Sequence, residues 1–179
     1  MHLAFERASA SDLPELAATL ASPLTPVALF GGGHVGHALA RVLALLPFRH
    51  RWIDSRDGVF PHDLPARVAC EHSEPVQLAV PGLAAQSLML VMSFSHAEDL
   101  EIVASCLFRQ REHADLPFVG LTGSQTKWAI FRRRLEVRGF SPDELAHITC
   151  PIGVAGIAGK EPEVIAVAVA AQRLQALNT

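Results

Sequence analysis

Short runs of consecutive apolar residues alternate along this chain with longer stretches whose apolar positions recur every three or four residues. "VALF" (27–30), "FRHRWID" (48–54), "ARVAC" (66–70), "SLMLVMSF" (87–94) and "PFVGLTG" (117–123) read as strands buried in a sheet. Helical periodicity fills the intervals 34–46, 97–111, 124–138 and 162–176. The last of these is apolar on nearly all sides, so it is expected to be buried. Residues 55–65, rich in Pro, Asp and His, read as loop, and 147–162 as mostly loop. Ahead of the first strand, Ser11 and Asp12 are placed to cap a short helix with Pro14 in its first turn and Leu13, Leu16 and Leu20 on one face. The pattern divides the chain into a lead-in, 1–25, and one domain, 26–179.

Strands alternating with helices predict an α/β domain: a doubly wound parallel sheet in a three-layer α/β/α arrangement, Rossmann-like, with strand order near 3-2-1-4-5. In that order the chain reverses direction between strands 1 and 4, and ligands bind outside the carboxyl ends of the strands at that switch point. Three loops should therefore face one pocket: Gly31–Gly36, Ser93–His96 and Thr122–Lys127.

Bulk composition narrows the class. Half the 179 residues are hydrophobic and 18% are charged, which fits a soluble globular domain with a sizeable core. A net charge of −3 does not point to nucleic acid or a membrane surface as partner. No apolar run reaches the roughly 18–20 residues of a membrane span, and the acidic, weakly apolar N-terminus is not a secretory signal. The three cysteines, Cys70, Cys106 and Cys150, are far apart and form no C-x-x-C pair. A reducing cytoplasm is expected, with neither a disulfide framework nor a structural zinc.

Chemistry concentrates in the predicted loops. In "FGGGHVG", Gly31 allows the tight turn, Gly33 lets backbone approach a phosphate, and Gly36 lets the helix pack on the strand. The free N–H groups of the helix that follows favour an anion. Asp54, at the end of the second strand, stands where a carboxylate accepts from ribose hydroxyls. Arg56 stands where an arginine meets a 2′-phosphate, so NAD and NADP are both open. His34, on the first helical turn, is either a polar surface residue or a neutral imidazole facing a ligand. Ser95 reads as a helix N-cap in a capping box with Glu98, which leaves His96 as a polar group facing the pocket. Gly123 and Ser124 open another helix there, with Lys127 able to reach an anion. The arginines 132, 133, 134 and 138 form a basic band, either a solvated face or a dock for an acidic partner. Cys106 reads as a core residue. Cys150, in the loop "TCPIG", is a structural thiol, a nucleophile, a soft metal ligand or a sulfur acceptor.

The strings "PVALFGGGHVGHALA", "WIDSR", "MSFSHAEDLEI", "FVGLTGSQTKWAIFRRRL" and "ITCPIG…GKEPEVIAVAVAAQ", in this order over residues 26–177, strongly resemble the XdhC/CoxI family. These are accessory factors of xanthine dehydrogenase and related molybdenum hydroxylases. The resemblance implies a carrier and chaperone rather than a catalyst. It would hold the molybdenum cofactor (molybdopterin) and assist its sulfuration and insertion, with xanthine dehydrogenase and a cysteine desulfurase as partners, and as a homodimer. Carried onto this chain, Gly31, Gly33, His34 and Gly36 would meet the phosphate and Asp54 a ribose or pterin edge. Ser95, His96, Gly123, Ser124 and Lys127 would line the crevice, with Cys150 near the molybdenum or its sulfur. Full-length members carry a further N-terminal domain, so the chain looks like their C-terminal domain. An NAD(P)-dependent oxidoreductase, or a nucleotide-binding regulatory domain, is the alternative.

Overall fold

A computed structural model describes residues 9–12 and 24–177. Six parallel strands form one sheet in the order β3-β2-β1-β4-β5-β6. They are β1 (Thr25–Phe30), β2 (Phe48–Asp54), β3 (Val68–His72), β4 (Leu88–Val91), β5 (Phe118–Leu121) and β6 (Ile148–Thr149). Four long helices cover the sheet: α1 (His34–Leu43), α2 (His96–His113), α3 (Gln125–Val137) and α5 (Pro162–Leu177). A short α4 (Pro142–Leu145) and a 3-10 segment, Val76–Gly82, complete the unit. No helix among the described residues is long and apolar enough to cross a membrane.

Side-chain alternation along each strand builds two separate cores. Ala28 and Phe30 of β1, Met89 and Val91 of β4, and Val119 and Leu121 of β5 face α2 and α3. Val27 and Leu29, Leu88 and Leu90, and Phe48 and Trp52 of β2 face α1 and α5. Such strands are apolar on both faces, which is why they read as unbroken hydrophobic runs.

The doubly wound sheet and its central order match the sequence expectation, with one strand added. β6 is only two residues long and pairs with Val119 and Gly120 of β5 inside the stretch expected to be mostly loop. β3 starts two residues late, because Val68 N–H donates to Pro65 O and holds Ala66 and Arg67 in a turn. α5 is buried along one side only, through Ala166, Ala168, Val169, Ala170 and Arg173, while Val167 is exposed. α4 begins with a full capping box between Ser141 and Glu144. The lead-in helix lies almost wholly outside the described residues, which show only a 3-10 turn at Ala10–Asp12.

Candidate functional site

The carboxyl ends of β1, β4, β5 and β6 point to one edge of the sheet, and the loops that leave them carry most of the residues singled out from the sequence. At β1 the turn is held by backbone. Gly31 has φ +120°, its N–H donates to Ile53 O (2.9 Å), and its carbonyl accepts from Trp52 Nε1 (2.9 Å). A Cβ on Gly31 would overlap the Met92 carbonyl, and one on Gly36 would overlap the Gly31 carbonyl. Both glycines are therefore required by close backbone approach. Gly33 has nothing near the place of a Cβ and serves as the N-cap of α1 without a side-chain cap bond. The first N–H groups of α1 thus lack a side-chain acceptor from their N-cap, which suits an anion. His34 is exposed on the first turn.

Asp54 is 2% exposed and already saturated. Its Oδ2 accepts from Gly32 N–H (2.5 Å) and Arg56 Nη2 (3.0 Å), and its Oδ1 from Arg56 N–H (2.8 Å) and Nε (2.9 Å). These four bonds use the acceptor capacity of a carboxylate, so in this conformation Asp54 braces the glycine turn and has no position left for a ribose hydroxyl. Burial alone would raise its pKa, yet the bonds from Arg56 and Gly32 hold it below the ordinary value. Arg56, committed to Asp54 and stacked 4.6 Å over the Phe94 ring, is not free for a 2′-phosphate. Gly32, a variable position of the glycine motif, is also constrained. A Cβ there would press on Val59, and its N–H carries the Asp54 bond.

At β4, Ser95 caps α2 through Glu98 N–H (3.2 Å), but the reciprocal half of the capping box is missing. Glu98 Oε1 instead accepts from Ser55 Oγ (2.5 Å) and ties the end of β2 to the start of α2. His96 is exposed, with its ring edge-on to Phe131 at 6.2 Å. Among the described residues neither His34 nor His96 belongs to a cluster of three or more metal-ligating side chains.

The group that sequence reasoning missed is Asp99, 2% exposed, one turn into α2. Its Oδ1 accepts from Ser93 N–H (2.8 Å) and Ser93 Oγ (2.7 Å), and its Oδ2 accepts from Lys127 Nζ (2.6 Å). Lys127 also donates to Thr122 O (2.8 Å), leaving one of its three ammonium protons for something else. Gly123 makes this possible: at φ +155° it leaves room for the Lys127 stem, which a Cβ would strike. Ser124 caps α3 through Lys127 N–H (3.1 Å), as its place before the helix predicts. The only trace of Asp99 in the sequence is an acid in a first helical turn, which reads equally well as a helix-dipole partner.

Beside this ion pair a cleft of about 570 Å³ opens between β5, β6 and α5. Gly123, Gln125, Cys150, the loop 151–157 and Ala168 line it, whereas the glycine turn does not. Cys150 is half-buried, and burial pushes its thiol above the ordinary value while the Lys127 charge pulls the other way. The resting thiol is therefore neutral. Cys106 is fully buried, with its thiol pushed up to about 12, and is inert core. In the basic band, Arg132 pairs with Glu136 and Arg138 with Glu101, which makes much of it a salt-bridged surface. The predicted pocket is thus two regions: a braced anion turn at β1, and a cleft holding Cys150 at β6, with the Asp99–Lys127 pair between them.

A solved protein of Bacillus halodurans, described as a xanthine dehydrogenase, superposes with a TM-score of 0.70 at 23% identity, over 88% of this chain and 44% of that one. A curated protein of Escherichia coli, described only as uncharacterized, is 28% identical over 151 residues, 84% of this chain and 27% of its own length. The chain therefore spans less than half of either relative. The family model described as the XdhC Rossmann domain matches residues 27–172, and the chain belongs to that family.

Proposed function

We propose that this domain is an accessory module for a molybdenum hydroxylase of the xanthine dehydrogenase type. It would bind the molybdenum cofactor and shelter it during sulfuration and delivery, in the cytoplasm, with a cysteine desulfurase as sulfur source. The observation that carries the reading is the pairing of two unlike features along one sheet edge. One is the α1 N-terminus, open to a phosphate over a braced glycine turn. The other is a 570 Å³ cleft with a soft sulfur donor. Both fit the cofactor: a phosphate tail suits the turn, a pterin is within the size range of the cleft, and a thiol suits molybdenum or its sulfur. β1 and β6 are three steps apart in the sheet, about 14 Å at normal strand spacing. That span favours an elongated ligand, such as a pterin carrying a nucleotide, over a bare phosphate. The saturation of Asp54 counts against NAD(P), whose ribose needs that carboxylate.

When bound, the cofactor supplies the metal centre that the target enzyme lacks. The work of this chain is to hold it. The α1 amides receive the phosphate, Lys127 offers its remaining proton to an anionic edge, and Cys150 faces the soft end as a neutral thiol. His34 and His96, exposed near the turn and the β4 loop, are contacts that the bound ligand would order.

The test is expression in a host that makes molybdopterin, followed by a search of the purified protein for the fluorescence of oxidised pterin. Pterin should co-purify, and Cys150→Ser should keep the melting temperature while lowering activation of a sulfur-dependent target enzyme. A protein, and a longer version of it, that both return without pterin would end the proposal. Unchanged activation by Cys150→Ser would make the thiol structural.

A further inference from the structure

The opposite edge of the sheet, where β1, β4 and β5 begin, holds a second cavity, of about 480 Å³. It shares no residue with the cleft at Cys150. Its walls include Pro26, Leu88 and Phe118, and its polar groups are Thr25, Gln86 and Arg173. Among the described residues that line it, Arg173 is the only charged one.

Arg173 is unusual. It is 5% exposed, its guanidinium carbon lies 3.2 Å from the Phe118 ring centroid, and its Nε is buried without a hydrogen-bond partner. No carboxylate among the described residues pairs with it. The other buried arginine, Arg109, shows what a satisfied one looks like: Asp115 takes two of its nitrogens, and the Val80 and Leu83 carbonyls take the third. Burial lowers the Arg173 pKa to about 10, which still leaves it charged at neutral pH. A buried cation with one aromatic face and no carboxylate partner among the described residues is a half-made interaction, because desolvation has not been offset by a counter-charge there. A second observation falls on the same cavity. Gln86, on its rim, is a non-glycine residue at φ +62°, held there by a bond from its N–H to Asp115 O (2.8 Å). Such backbone strain gathers where a side chain is being placed for a ligand.

We infer that this cavity is a binding site for a small organic carboxylate, with Arg173 as its anion receptor. The flat guanidinium fork matches a carboxylate in bidentate geometry. One cation among apolar walls suits a monoanion with an apolar body and under-neutralises a phosphate. Thr25 and Gln86 add neutral hydrogen-bonding groups at the mouth. The volume is that of a small-molecule site. Its place at the amino ends of the strands separates it from the ligand edge of the fold, so it stands or falls independently of the cofactor reading.

Calorimetric titration of the purified chain with acetate, hexanoate, benzoate, hexanamide and inorganic phosphate tests this. Hexanoate and benzoate should bind saturably and more tightly than acetate, while hexanamide and phosphate should not. Arg173→Met should weaken hexanoate at least tenfold, and Arg173→Lys should fall between. Without ligand, Arg173→Met should melt no lower than the parent, since it removes an unpaired buried charge. The inference is overturned if no carboxylate binds, if Arg173→Met binds hexanoate as well as the parent does, or if that variant melts markedly lower. A concentration-dependent dimer that Arg173→Met dissolves would also overturn it, by assigning the guanidinium to an acid on a second copy.

Discussion

Asp54 shows how one residue can satisfy a motif and do a different job. Its position is that of a ribose acceptor, yet every acceptor position is turned inward, on Gly32 and Arg56. Asp54→Asn would keep the shape but remove the charge that Arg56 is bonded to, leaving the guanidinium with only the more distant charge of Glu98. The expected cost is about 1–3 kcal/mol, measurable by urea unfolding, together with weaker retention of any pterin. A loss of ligand at unchanged stability would instead restore the direct-contact role. At this scale the sequence revealed identities and positions but not partners. Ser124, Gly31 and Gly36 act as their spacing implies, because a cap or a tight turn is a local demand. Asp99 escaped notice because its value comes from Lys127, 28 residues later, and from Ser93 before the helix begins. Long-range polar pairing leaves no periodic trace.

Elements were more legible than their ends. The long helices and the buried strands announce themselves by period and length, and each appears within a few residues of its expected place. β6 did not, since two residues carry no periodicity; it exists because Val119 and Gly120 offer an unpaired parallel edge. Pro142–Leu145 was missed although "SPDE" is a capping signature, because one turn of helix has no hydrophobic stripe. The junction of β1 and α1 is the most sensitive to change. Gly36→Ala puts a methyl onto the Gly31 carbonyl, so α1 must shift off the sheet. A destabilisation of about 1–3 kcal/mol is expected, seen as a lower urea midpoint with unchanged slope. A neutral result would mean that α1 moves freely on β1.

For the molecule as a whole, acid sensitivity should trace to one buried ring. His50 is 1% exposed on the face of β2 that also carries Phe48 and Trp52, and the Ala40 backbone is the one polar group that offsets the burial of its ring. Burial first, and the charge of Arg67 second, lower its pKa from 6.5 to about 4. The unfolded chain takes up a proton near 6.5, whereas the folded chain refuses it until about 4. The stability this provides is therefore complete above about 6.5 and is lost as pH falls toward 4, by roughly 3 kcal/mol in all. Unfolding free energy measured at pH 7 and pH 5 should differ in the parent and much less in His50→Phe. An equal slope in both would clear His50 and direct attention to the exposed histidines.

α1 and α5 together close one face of the sheet, over Leu29, Trp52 and Leu90. They come from opposite ends of the domain, and α5 is the last of its elements to be synthesised. While the chain emerges from the ribosome, α2 and α3 can settle on their own side as soon as α3 itself is complete. The other side stays only part-covered, by α1, until Ala166, Val169 and Ala170 arrive. A nascent chain halted before α5 would thus carry one finished and one half-covered hydrophobic layer, the state in which a chaperone would be expected to hold it.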